Sequence, residues 1–336
     1  MPRGSKYRAR SRQRPRASWS SSVTRTIENW VHLMPDRKPL AALAEDGRAF
    51  DTYALRLDSS SDNVLQRAEG SCRIVVGGSE KGTRVMDVYQ KSPLRVLFPR
   101  SPAAGAEEAV LVNTSGGIAG GDQLQTNVTA MQDASIAITT QAAEKVYRAL
   151  KESAQIFTTL KVNDTASLAW LPQETIAFNR ARVSRATHIE IASGAELLAL
   201  EWMVLGRAAH GEKLSAATIT DSWRVAKDGR VIWADNFRIT DDVLAHLSRK
   251  ALLSDCNAIA TLVYFGSEPA VRLELVRDLA PSFRCHCAAT FVSGLVVARF
   301  AARTSYDLRT ALRNVLDQFG DGLGYGPFRV PRMWSC

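Results

Sequence analysis

Residues 113–122 read NTSGGIAGGD, so Gly116, Gly117, Gly120 and Gly121 crowd together just ahead of an acid, Asp122. Glycines at this density cradle a phosphate, bend an elbow that presents a nucleophile, or let backbone turn and pack where a side chain will not fit. A phosphate loop needs GxxxxGK[ST] running into a helix, so that backbone N–H groups, the lysine and the hydroxyl converge on one anion. Here no lysine follows and Asp122 places negative charge where the anion would sit. The next residues, LQTNVT, alternate as a strand rather than open a helix whose N-terminus could hold an anion. The dinucleotide spacing GxGxxG is absent. A nucleophile elbow needs GxSxG, and the residue two before Ser115 is Asn113. Spacing therefore leaves a backbone device, with glycine used for tight turning or close packing. Asp122 then either bonds local N–H groups or lines a polar passage.

The cysteines offer a second candidate chemistry. Cys72, Cys256, Cys285, Cys287 and Cys336 are odd in number and scattered, which suits a reducing cytosol rather than a disulfide framework. Cys285-His286-Cys287 has the residue types of a metal centre. It is a single CxC with no second CxxC or HxxxH, and in a strand His286 would face away from both thiols. Buried structural thiols fit this pattern better than a metal centre. No base or nucleophile stands beside a partner at a motif spacing, so a non-enzyme is expected.

Strands must position these residues. Leu124, Thr126 and Val128 alternate with Gln125, Asn127 and Thr129, and Ile156, Thr158, Leu160 and Val162 repeat the pattern, as do Ile189 and Ile191. Lys227-Asp228-Gly229-Arg230 between SWRVA and VIWAD signals a β-hairpin. No ~30-residue βαβ rhythm appears, and no exact repeat is visible. Late in the chain Asp241 or Asp242 is placed to cap a short helix carrying Val243, Leu244 and Leu247. Ser305 is placed to cap a longer one with Leu308, Leu312, Val315, Leu316 and Phe319 on one face, ended by Gly320. The expected body is mainly β, with about two helices toward the C-terminal end.

Composition excludes some function classes. Hydrophobic content of 46% and charge of 23% are those of a globular protein. No run reaches the ~18 apolar residues of a membrane span; the most apolar passage, Leu197 to Leu205, carries Glu201 at its centre. The net charge of +9 is concentrated in residues 1–16, which hold seven basic residues and no acid and leave only +2 for the rest. Residues 1–67 are thus expected to be a basic, poorly ordered extension and residues 68–336 the folded domain. The extension has the Arg- and Ser-rich look of a transit peptide without the apolar stretch of a secretory signal. A nucleic-acid binder using that arm, or an uncharacterised hydrolase, is the alternative reading.

Five blocks in order carry a resemblance. VLVNTSGGIAGGDQL, TTQAAEKVYRA, WLPQETIAF, LGRAAHGE and the terminal PRMW are similar to those of the urease accessory protein UreD (UreH) family, from about Ala68 to Trp334. His210 in AAHGE and Ala169 before Trp170 depart from the usual pattern, where an apolar residue and an acid are expected. The resemblance implies stacked β-sheets forming one elongated body. It also implies a cytoplasmic, non-catalytic maturation factor for nickel-containing urease. The implied partners are a helical UreF-like protein, through it a UreG-like GTPase, and the urease apoprotein, with no specific nucleic acid and no membrane. No cofactor would be tightly bound; nickel would pass through in transit.

Such transit constrains side chains. A divalent ion crossing a protein needs oxygen or nitrogen ligands few and weak enough to release it. Buried acids are costly unless paired or hydrated, so carboxylates inside or close to the matching blocks are worth noticing. They are Asp122, Glu144, Glu174, Glu201 and Glu212. Each has a structural alternative in an ion pair with a neighbour, such as Lys145 or Arg148 for Glu144 and Arg207 or Lys213 for Glu212. Glu174 follows Pro172 and Gln173 in an apolar strand context. His210 and His286 are weaker candidates.

Overall fold

The computed structural model describes residues 66–99, 106–322 and 327–335. Except for Gln66 and Arg67, the extension expected to be poorly ordered lies outside the described residues, as does Cys336. The body is mainly β and built from two stacked sheets. The first sheet orders its strands β14-β13-β11-β8-β5-β1-β2, where β1 is Glu69–Ser79, β2 Gly82–Lys91, β5 Gln123–Ala130, β8 Ala154–Val162, β11 Arg182–Ile191, β13 Thr218–Lys227 and β14 Arg230–Ile239. The second runs β16-β17-β15-β12-β9-β6-β4-β3, with β3 Leu94–Leu97, β4 Glu107–Asn113, β6 Ser135–Thr140, β9 Ser167–Trp170, β12 Glu196–Leu205, β15 Ala258–Phe265, β16 His286–Val292 and β17 Leu295–Ala302. Two short strands, β7 (Glu144–Val146) and β10 (Thr175–Ala177), join β12 at one side.

The centre of both sheets is parallel. In the first sheet β1, β5, β8, β11 and β13 pair parallel in turn; in the second, β4, β6, β9 and β12 do. Parallel strands need a long crossover, usually a helix. Here the crossover from one strand to its neighbour is a strand of the opposite sheet, so the chain winds as a coil. Glu107 pairs with Ile136, Ile136 with Leu168 and Leu168 with Leu197, a step of roughly 30 residues that is usual for a solenoid. Alternation of period two is all that such a coil asks of its sequence, and no residue-by-residue repeat is required.

Packing explains the alternation. Leu124, Val128, Leu160, Ile189 and Ile191 of the first sheet meet Ile136, Ile138, Leu168 and Leu197 of the second in one core. Each fully buried aliphatic side chain contributes about 1.5–3 kcal/mol. A second core forms on the outer face of the second sheet, against helices α2 (Pro269–Leu279) and α3 (Ser305–Gly322). β12 is buried on both faces, with Leu197, Ala199 and Met203 in the first core and Leu198, Leu200 and Trp202 in the second. That double burial accounts for its apolar run, broken between Leu197 and Leu205 by Glu201 alone.

The hairpin at Asp228-Gly229 is present, with φ of 48° and 78° at the two residues, the positive pair that a two-residue hairpin turn demands. The helices differ in detail from the sequence expectation. The short helix α1 (Asp241–Leu244) follows Thr240, not an aspartate cap: Asp241 accepts the Ala217 N–H at 2.9 Å, the Thr240 hydroxyl bonds Asp242, and Leu247 lies beyond the helix. α3 is capped one residue earlier than expected. The Thr304 hydroxyl accepts the Asp307 N–H at 3.0 Å and donates to its carboxylate at 2.6 Å, a reciprocal cap that Ser305 does not make. α3 also runs past Gly320 to Gly322, because the glycine adopts helical backbone there. α2 was not expected; its Pro269 stands in the first turn and only Arg272, Leu273 and Val276 are buried, too few for a clear period.

Candidate functional site

The coil brings four of the five sequence blocks into one rank. Ile118 bridges Val146, Val146 pairs with Ala177 and Ala177 pairs with Leu205, all parallel and all buried. After each of these residues the chain leaves the sheet at the same end. The exits after Val146, Ala177 and Leu205 border a cleft of ≈ 700 Å³, lined among others by Lys145, Tyr147, Glu174, Phe178, Arg207 and His210, with Ser305 and Tyr306 from the start of α3.

The glycine loop packs against this rank. A Cβ on Gly117 would lie 2.6 Å from Tyr147 Cε2 and 2.7 Å from the Lys145 carbonyl oxygen, and the residue has φ of 149°. A Cβ on Gly120 would meet Ala149 Cβ and the Glu152 carbonyl oxygen, each at 2.5 Å. Gly121, with φ of 89°, faces Glu152 Oε2 at 2.6 Å, whereas Gly116 has nothing nearer than the Tyr147 hydroxyl at 3.9 Å. Three glycines are thus required by close approach or by left-handed backbone, and Gly116 by neither. The single hydroxyl proton of Ser115 lies between two acceptors, Asn113 Oδ1 at 2.6 Å and the Gly117 carbonyl at 2.8 Å. Asp122 is buried at 6% exposure, its two oxygens accepting the Ala68 N–H at 2.9 Å and the Ala119 N–H at 2.7 Å.

Three acids meet at or beside the cleft. The Glu144 N–H donates to the Glu174 carbonyl at 2.8 Å, which sets β7 against the segment entering β10. The Glu144 carboxylate has Asn113 Nδ2 as donor at 3.0 Å. Burial pushes this carboxyl up, and the Asn113 hydrogen bond offsets part of the rise. Glu174 is paired with Arg309 at 2.6 Å. Glu212 receives both Nε and Nη2 of Arg207 at 3.0 Å, and these hydrogen bonds hold its carboxyl below the usual range. Arg207 in turn stacks 4.2 Å from the Phe178 ring.

Glu201 lies elsewhere, between the sheets. It points inward from β12 to Arg185 of β11 at 2.7 Å, and Trp170 Nε1 donates to its other oxygen at 2.8 Å. Arg185 also grips Asp221 of β13 with Nη2 at 2.6 Å and Nε at 3.0 Å, and donates to the Thr175 hydroxyl. Burial would lower the Arg185 guanidinium, but Asp221 and Glu201 hold it above its ordinary value. Burial pushes the Glu201 carboxyl up while Arg185 pulls it down. Two carboxyl groups thus share one guanidinium between the sheets. Arg185 and Asp221 line a second cavity, of ≈ 310 Å³, where Asp235 and Arg299 pair at 2.8 Å.

Cys285-His286-Cys287 lies at the start of edge strand β16, its thiols half-buried against the helical layer and His286 exposed, the alternation the sequence implies. Burial pushes the Cys285 thiol up to about 11 and the Cys287 thiol up to about 12, so both are protonated at neutral pH. Among the described residues no three His, Cys, Asp or Glu side chains gather as a metal site. No helix of the described residues is long and apolar enough to cross a membrane.

Comparison with known proteins decides the family. The UreD urease accessory protein family matches residues 68–335. The chain belongs to the UreD family. It is 39% identical over 280 residues to a urease accessory protein UreD of Rhodopseudomonas palustris (strain BisB18), covering 83% of this chain and 98% of that one. It is 38% identical to a namesake in Mesorhizobium japonicum, covering 82% and 96%. A UreD of Magnetococcus marinus is 35% identical, covering 81% and 96%.

Within this UreD-family chain, sequence reading missed Arg185, Asp221 and Arg309. The first two had a signal. Val183, Thr187 and Ile189 flank Arg185, and Ile219, Trp223 and Val225 flank Asp221, at spacings of two. A charge in register with inward apolar residues must be buried and paired. Arg309 carried none, because on α3 it reads as an ordinary exposed helix residue. Of the two departures from the UreD pattern, Ala169 is fully buried in β9 and His210 is exposed on the cleft.

Proposed function

We propose that this chain is a non-catalytic urease maturation factor. It acts with a UreF-like helical protein and, through it, a UreG-like GTPase; the assembly docks on apo-urease and delivers nickel, which is cargo rather than a resident cofactor. The family match over residues 68–335 carries this reading. The convergence of three sequence blocks on one cleft, with the glycine loop packed against the same rank, supports it, because a passing ion or docking partner needs one shared surface. Among the five acids, Glu144 and Glu174 are the first candidates for weak contact with the ion. Glu174 lines the cleft and Glu144 stands beside Lys145 of its lining; one oxygen of each carboxylate is engaged, by Arg309 and by Asn113. Asp122 has both oxygens on backbone N–H groups, Glu201 is held by Arg185 and Trp170, and Glu212 is gripped by Arg207. Each would have to give up a bond to bind a cation.

The test is reconstitution in a urease-negative bacterium carrying the urease subunits and the other accessory genes, with and without this chain. Urease specific activity and bound nickel per active site should both fall when the chain is omitted. Full nickel loading in its absence would refute the proposal.

A further inference from the structure

Leu171–Glu174, between β9 and β10, has no regular secondary structure, yet every residue is tied. Trp334 Nε1 donates to the Leu171 carbonyl at 3.1 Å and Trp202 Nε1 to the Pro172 carbonyl at 3.0 Å. Gln173 Nε2 donates to the Met333 carbonyl at 3.2 Å. Arg309 Nη2 donates to Glu174 Oε2 at 2.6 Å and to Gln173 Oε1 at 3.1 Å. Its guanidinium lies 5.2 Å from the Trp202 ring and 5.7 Å from that of Trp334, whose carbonyl it also reaches. The two indole rings are 5.5 Å apart, with Trp334 only 2% exposed. From the opposite side the segment is held by β6 and the residue after it, the Thr140 hydroxyl accepting the Gln173 N–H at 2.9 Å and the Gln141 carbonyl accepting Gln173 Nε2 at 2.9 Å, so the C-terminal turn and Arg309 close the other half of its bonding.

We infer that the C-terminal turn Arg332–Ser335 is a clasp that fixes the Leu171–Glu174 wall of the cleft, with Arg309 as the positioning residue that holds the Glu174 carboxylate. The fifth sequence block, PRMW, thereby braces the segment that carries Glu174 into the cleft. Removing Trp334 takes away one face of the Arg309 stack, one donor to the wall and the docking of the tail that brings the Met333 carbonyl to Gln173. Glu174 would then lose its fixed partner and present a free carboxylate to the cleft, while its carbonyl would hold the Glu144 N–H less firmly. Fork geometry and stacking make arginine necessary here, since lysine supplies charge without either.

The consequence for maturation rests on the function proposed above, but the clasp does not, and hydrogen exchange separates the two. Amide exchange is measured by mass spectrometry on the full chain, purified with whatever partner keeps it dispersed. In Trp334→Ala, peptides covering 140–147 and 171–177 should exchange about tenfold faster or more, with β5 and β8 unchanged. Arg309→Lys should give a smaller rise in the same two peptides. Trp334→Phe, which keeps a ring but loses the indole donor, should raise 171–177 and serves if the alanine variant does not fold. Unchanged exchange at 171–177 in these variants would overturn the clasp. So would an equal rise through β5 and β8, which would make Trp334 a general core residue. Failure of wild-type protein to activate urease would count against the maturation reading alone.

Discussion

Gly120→Ala tests the packing of the glycine loop most directly. The added methyl would sit 2.5 Å from both Ala149 Cβ and the Glu152 carbonyl oxygen. Neither atom is the tip of a flexible side chain, and the Ala149 N–H is bonded to the Arg180 carbonyl at 3.0 Å. Relief therefore needs the loop or the β7 exit to move by about 1 Å, and overpacking of this kind costs about 1–3 kcal/mol. Gly117→Ala meets Tyr147 and the Lys145 carbonyl just as closely, and adds backbone strain of about 1–2 kcal/mol at φ of 149°, for a total near 2–5 kcal/mol. Gly121→Ala keeps the strain term, but its nearest contact is the movable Glu152 carboxylate. Gly116→Ala has open space and should cost less than about 1 kcal/mol. Urea denaturation followed by far-UV circular dichroism ranks the four, and on a total stability of about 5–15 kcal/mol the differences are measurable. Gly116→Ala losing as much as Gly120→Ala, or Gly120→Ala melting like wild type, would refute close approach as the reason for the glycines.

Ser115→Ala removes one local hydroxyl donor and should cost about 0.5–1.5 kcal/mol while leaving urease activation intact; loss of activation in a folded variant would return a chemical role to the loop. Arg185→Met strands Glu201 and Asp221 as facing buried carboxylates, a loss of about 3–5 kcal/mol at pH 7, seen as a lower denaturation midpoint. That loss should shrink as acid protonates the pair. Glu174→Gln keeps shape and an acceptor for Arg309, so partner binding should survive with a stability change near 1 kcal/mol, while nickel per urease active site falls. Loss of the accessory complex in step with nickel would make Glu174 structural alone. Burial raises the Glu144 carboxyl, so ionising it disfavours the fold: that cost is absent below the unfolded value of 4.5 and appears as pH rises through the raised folded value. Glu144→Gln should accordingly melt higher than wild type at pH 7, by up to about 1 kcal/mol, with the advantage gone near pH 4. An advantage independent of pH would contradict a buried, ionising Glu144.

The β class, the hairpin at Asp228-Gly229 and the apolar face of α3 were legible in sequence because each rests on a local rule: period two, a positive-φ dipeptide, period 3.6. Thr304 was missed because a serine one residue later offered an equally good cap, and only the Asp307 reciprocity separates them. α2 was hidden by its polar surface. Among the acids, sequence could locate Glu201 within an apolar strand but not the guanidinium opposite, since Arg185 lies in the other sheet. Glu174 was singled out without its partner, because Arg309 is reached only through the C-terminal turn.

Parallel winding was not legible from alternation, which is the same for parallel and antiparallel neighbours. A signal existed at longer range. Gly117, Tyr147, Ile176 and Gly206 fall in four successive blocks, and their separations all approach the step by which one coil advances to the next. A solenoid stacks residues that occupy the same phase of successive coils. Blocks separated by one coil each must therefore meet at one end, as Ile118, Val146, Ala177 and Leu205 do. Such a surface needs no similarity between its blocks, since each contributes a different chemistry to a shared rank: a glycine turn, a lysine and tyrosine, an acid, an arginine. The fifth block lies outside this spacing because its chain arrives from the helical layer, and it needs Arg309 to reach the same cleft.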